Sequence, residues 1–177
     1  MLNLKSARWC CLSFLFFLFS GPVSGLETGA GLISMEEGDN RLRPGVLASI
    51  SHGTWDGRVY YCARSYGPVL EQLTLLALTG SFSLPSVSWL SARYGLGLLE
   101  EHTSIHYSNT MDQGKSRAES RYNLGVALGL RASFIISGDV YVEGGWDSYL
   151  FPAGLSGGLF LATGRKEVIY LGSGIRW

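Results

Sequence analysis

From residue 26 onward, apolar side chains recur at every second position, the period of a β-strand and not the 3.6 of a helix. Between Arg121 and Ser133 one face carries Tyr122, Leu124, Val126, Leu128, Leu130 and Ala132. The other carries Arg121, Asn123, Gly125, Ala127, Gly129, Arg131 and Ser133. Val87 to Leu99 divides in the same way, with Leu90, Ala92, Tyr94, Leu96 and Leu98 against Trp89, Ser91, Arg93, Gly95 and Gly97. At the C-terminal end Ile169, Leu171, Ser173, Ile175 and Trp177 oppose Val168, Tyr170, Gly172, Gly174 and Arg176. The pattern predicts eight strands, near 26–34, 43–53, 57–66, 69–82, 86–102, 119–134, 139–151 and 165–177.

Alternation alone does not choose a solvent, since soluble antiparallel strands alternate too. The second face does. A soluble sheet would place Lys, Glu and Thr there, whereas this face holds Gly, Ser, Ala and Arg with an occasional aromatic. That set suits the narrow interior of a small membrane barrel, whose apolar face meets lipid. The fold expected is therefore all-β, an eight-stranded antiparallel transmembrane barrel with a filled lumen. Thr54–Gly57, Ser83–Pro85 and Ile136–Gly138 are short connections, while Glu36–Arg43, Thr103–Ala118 and Pro152–Gly164 are longer and more polar. The two kinds alternate along the chain, as the two ends of such a barrel require. Ala153–Thr163, with Leu155, Leu159 and Leu161 in phase, is read as a strand extension or a folded loop, because a ninth strand would break the even parity.

Composition sharpens this picture. Gly contributes 24 of 177 residues and charged residues only 16%, so a disordered chain and a helical enzyme are both disfavoured. Lys and Arg number 14, as do Asp and Glu, with no basic cluster, which excludes a nucleic-acid binder. Lys5 and Arg8 precede the apolar run Trp9–Phe19, followed by Ser20-Gly21-Pro22 and the small residues Val23-Ser24-Gly25. Residues 1–25 are thus expected to be a signal peptide and 26–177 the barrel. The run is about half the ~20 residues of a membrane helix. Cys10 and Cys11 fall inside the signal, and the remaining Cys62 alone can form neither an internal disulfide nor a cysteine zinc cluster.

The same phase turns Arg93, Arg121, Arg131 and Arg176 inward, with Asp139, Glu143 and Asp147 from the seventh strand. Buried charges are costly unless paired, so a mutually neutralising network is expected. Trp89, Tyr141 and Tyr170 would help to close the lumen. Trp55, Tyr122, Trp146, Tyr149 and Trp177 read as girdle residues at the lipid boundary. His102 and His106 lack a third ligand, and the Gly-rich stretch 154–158 lacks a strand-to-helix context for phosphate, so neither a metal nor a cofactor is expected.

The ending, with Ile169, Leu171, Ile175 and the terminal aromatic Trp177, resembles the C-terminal assembly signal of Gram-negative outer-membrane barrel proteins. The resemblance implies an integral outer-membrane location, engagement of the barrel-assembly machinery during biogenesis, and contact with outer-membrane lipid and lipopolysaccharide. A second, local string, Ile105-His106-Tyr107-Ser108-Asn109 followed by Glu119, is similar to the active-site stretch of the lipid A 3-O-deacylases, themselves eight-stranded barrels. That similarity implies Ser108 as nucleophile, His106 as general base, Glu119 as the acid orienting it and Asn109 as oxyanion donor. A serine hydroxyl needs such a base, and a carboxylate fixes the imidazole tautomer. The plain reading of 103–118 is a solvated surface loop. The function expected is a structural or surface-interaction role: envelope integrity, adhesion to host or environmental ligands through the loops, or at most passage of very small solutes. A lipid A deacylase is the alternative. A monomer is expected, since a closed barrel leaves no edge to pair.

Overall fold

Period-two alternation resolves into eight antiparallel strands: β1 (Leu26–Glu37), β2 (Arg41–His52), β3 (Trp55–Tyr66), β4 (Val69–Leu84), β5 (Val87–His106), β6 (Ser116–Ser137), β7 (Val140–Pro152) and β8 (Ala162–Arg176). This computed structural model describes residues 25–37, 41–84, 86–106, 116–152 and 162–177. Each strand pairs with its sequence neighbours, and β1 pairs with β8, so the sheet closes on itself as a barrel. The closing seam runs from Glu27 opposite Arg176 to Glu37 opposite Lys166. Backbone bonds from Gly25 N to Trp177 O (2.9 Å) and from Trp177 N to Leu26 O (2.7 Å) extend it to the last residue.

One end of the barrel holds both seam termini and the connections after β2, β4 and β6; we call it the turn end, and the opposite one the loop end. At the turn end β2 passes to β3 through Gly53-Thr54 and β6 to β7 through Gly138-Asp139. Gly53 (φ 59°) and Gly138 (φ 48°) supply the left-handed backbone that such tight turns need. The β3–β4 connection at the loop end is equally short, Gly67-Pro68, whereas 38–40, 107–115 and 153–161 lie outside the described residues. The in-phase positions Leu155, Leu159 and Leu161 are among them.

The apolar face points outward along the strands, as Leu32 (72% exposed), Leu78, Leu96, Leu124 and Leu171 (70%) show. Two bulges interrupt the phase near the turn end. Between Ser83 and Leu84 the partner on β5 jumps from Ser91 to Val87. Trp89 is thereby turned out of the lumen, where alternation had placed it, and stacks on Phe134 (centroids 5.3 Å apart, planes at 22°). A second shift between Ile135 and Ser137 leaves Ile135 and Ile136 both exposed. Trp55, Tyr122 and Trp177 face outward as girdle positions would, but Tyr149 belongs to the opposite face and is fully buried.

Candidate functional site: the lumen and the loop end

The inward side chains sort by height. Nearest the turn end, Arg176 meets Glu27 across the seam, with Nε and Nη2 at 2.8 and 2.5 Å from Oε1. The other oxygen of Glu27 accepts Arg131 Nη2 at 3.1 Å and Ser51 Oγ at 3.3 Å. Arg131 Nε is ion-paired 2.6 Å from Glu143 Oε2, and the same oxygen accepts a hydrogen bond from Arg58 Nη2 at 3.1 Å. Arg58 Nε reaches Asp56 at 3.0 Å, and Arg93 Nη2 stands 3.4 Å from the same oxygen. Arg93 Nη1 then grips both oxygens of Asp147 (2.7 and 2.6 Å), its Nη2 donates to Thr79 Oγ1 (2.8 Å), and Tyr60 Oη donates to Asp147 Oδ2 (2.5 Å). Four arginines thus face four carboxylates in one continuous network. Aromatic rings support it, with the Arg58 guanidinium 4.4 Å above Tyr170 and that of Arg131 5.7 Å from Tyr141.

Above this network the lumen turns apolar. Ile33, Met35, Leu47, Cys62, Leu73, Leu75, Leu99, Phe151 and Val168 are buried in a single cluster with Tyr60 and Tyr149. Tyr149 meets Tyr60 edge-on at 6.0 Å and stacks on Phe151 at 6.4 Å. Inward glycines make the room: a Cβ at Gly97 would stand 2.6 Å from the Tyr149 ring, and one at Gly125 2.6 Å from Phe151. At Gly129 it would collide with the Asp147 carboxylate. Above the apolar layer, at the loop end, polar pairs return, with Arg43 Nη1 at 2.9 Å from Glu71 and Lys166 Nζ at 3.1 Å from Glu101.

Of the seven charges that alternation turns inward, the structure brings Arg93, Arg131, Glu143, Asp147 and Arg176 into this network. Two are corrected. Arg121 shares the inward phase but stands on β6 beyond Val126, the first described rung with β7, so no described residue of β7 pairs beside it. Its side chain is 70% exposed and pairs with Glu119 at 3.0 Å. Asp139 occupies the exposed β6–β7 turn, one residue before β7 begins, and its carbonyl accepts Arg176 N at 2.8 Å. Glu27, Asp56 and Arg58 complete the network without having been singled out by pattern. Asp56 looked like turn chemistry beside Gly57, but the turn lies at 53–54 and β3 has already begun.

Ser108 and Asn109 lie outside the described residues. His106 ends β5 opposite Ser116, and the placement of its side chain is likewise outside what is described. Glu119 pairs across the strands with Thr103, and its carboxylate is held by Arg121. His102 Nδ1 lies 2.8 Å from Ser120 Oγ. Among the described residues no group of three His, Cys, Asp or Glu is placed to hold a metal.

No protein-family model and no curated protein matches the chain. Solved structures do. Neisserial surface protein A superposes with a TM-score of 0.51 at 13% identity, over 86% of this chain and 96% of that one. The N-terminal β-barrel domain of Pseudomonas aeruginosa OprF gives 0.50 at 14% identity, over 85% and 97%. Ail, the attachment invasion locus protein of Yersinia pestis, solved with the heparin analogue sucrose octasulfate, gives 0.52 at 14% identity, over 86% and 97%. The fold is accordingly that of the small eight-stranded barrels of the outer-membrane type.

Proposed function

We propose that the chain is an integral outer-membrane barrel with a structural or surface-interaction role, exported by its N-terminal segment and presenting its loop end to the surroundings. One observation carries the reading: a closed barrel that is apolar on its outward face and charge-neutralised on its inward face. That arrangement inverts a soluble protein and suits hydrocarbon, where every backbone group must be satisfied within the wall. The strands, 12 to 22 residues long, exceed the roughly 9–11 needed to cross a bilayer. Ile169, Leu171 and Ile175 lie on the outward face of β8 and Trp177 is exposed just beyond it, where the assembly machinery would read them. The apolar layer across the lumen favours anchoring over conduction. The names of two structural neighbours, a surface protein and an attachment invasion locus protein, point towards interaction at the cell surface.

Fractionation of expressing cells tests this. The protein should sediment with outer membranes, resist extraction by alkali, and shift in gel mobility on boiling. Recovery in the soluble periplasm would overturn the reading. In planar bilayers the refolded barrel should give no stepwise current; steady conductance would replace the structural role with a channel.

A further inference from the structure

Near the loop end the wall has a local defect between β2 and β3. The β2–β3 ladder stops at Gly45 opposite Cys62. Both strands continue: β2 stays paired with β1 as far as Arg41, and β3 with β4 as far as Tyr66. Continuing the register would set Pro44 against Ala63, Arg43 against Arg64 and Leu42 against Ser65. Those six residues line a cleft of about 520 Å³. The sequence explains why the strands part. Pro44 has no N–H to give to a ladder, and two arginines directly opposite one another repel.

The cleft is amphipathic. Leu42 (64% exposed) and Pro44 face outward, as does Val46 one rung below, while Arg43 and Arg64 lie on the inward phase. Arg43 is tied to Glu71 at 2.9 Å. The Arg64 guanidinium lies 5.6 Å from the Tyr66 ring, and no ion pair joins it to a carboxylate among the described residues. A cation set between an apolar outer wall and a polar vestibule matches an anionic headgroup attached to an acyl chain.

Building on the membrane location proposed above, we propose that the β2–β3 cleft is a lateral binding site for a lipid with a net anionic phosphate headgroup. Arg64, with Arg43 behind it, receives the phosphate, and the acyl chain lies along Leu42, Pro44 and Val46. Arg64 donates in the bidentate geometry that guanidinium and phosphate share.

The test is native mass spectrometry of the refolded protein in neutral micelles doped with phosphatidylglycerol or with phosphatidylcholine of the same acyl length. The wild-type protein should carry one phosphatidylglycerol about tenfold more often than one phosphatidylcholine, the preference a single charge-assisted contact supplies. Arg64→Gln should bring the ratio close to one. Pro44→Val, which restores a ladder donor, should do the same by closing the cleft, and both variants should keep the heat-shifted mobility of the folded barrel. Equal retention of the two lipids by wild type, or an unchanged ratio in Arg64→Gln, would overturn the site. Displacement by millimolar inorganic phosphate would reduce it to an anion site with no lipid. A protein that stays soluble without detergent would instead overturn the membrane reading itself.

Discussion

The two halves of the lumen are filled by different physics. Towards the turn end, Arg58, Arg93, Arg131 and Arg176 are matched to Glu27, Asp56, Glu143 and Asp147 through directional contacts of 2.5–3.4 Å. Above it Leu75, Leu99, Val168 and their neighbours fill the lumen by volume, below the Arg43–Glu71 and Lys166–Glu101 pairs of the loop end. A buried charge network tolerates no missing member, because the partner left behind is desolvated and unpaired. An apolar layer tolerates exchange of shape as long as volume is kept. The charged half therefore links β1, β3, β5, β6, β7 and β8 across the lumen by paired side chains, and the apolar half closes the lumen above it.

The largest test of this contrast is Asp147→Ala, which takes from Arg93 Nη1 both of its acceptors and removes the acceptor of Tyr60. It should cost about 3–5 kcal/mol in urea unfolding from micelles. Replacing Arg93 and Asp147 together by Met and Leu should recover most of that loss, and no recovery would mean the pair does more than neutralise. In the apolar half Leu75→Ala should cost about 3 kcal/mol but Leu75→Met less than about 1.5. Equal intolerance of both changes would erase the distinction between the halves. At the junction, Gly129→Ala pushes a methyl group into the Asp147 carboxylate and should cost about 1–3 kcal/mol by the same titration. Smallest is Arg121→Ala, outside both halves: its exposed pair with Glu119 should change stability by less than about 0.5 kcal/mol. A larger effect would place Arg121 in contact with the barrel interior after all.

The outward face was legible because alternation is a property of every strand, and Leu124 to Leu130 or Leu171 to Ile175 declare it without help. Phase also found Arg93, Glu143 and Asp147, which sit mid-strand. It failed where height mattered, because period two fixes a face and says nothing of depth. Arg121 has the right phase, but it stands where the described part of β6 has no β7 beside it. It failed again where register shifts, as at Trp89, since a bulge reverses the phase without a sequence signal of its own. Arg58 was hidden by β3 itself, whose two faces each carry a tyrosine, Tyr60 inward and Tyr61 outward.

The seam between β1 and β8 has a temporal meaning. Glu27 and Arg176 are 149 positions apart, so the contact that closes the wall spans far more of the chain than any of the hairpins. Every other pairing is a hairpin between consecutive strands. Long-range closure is entropically the slowest step. Until it happens β1 and β8 each expose a full raw edge, open to any other strand in the cell. Pairing of β8 with β1 removes both edges at once, so the last strand is the latch of the wall.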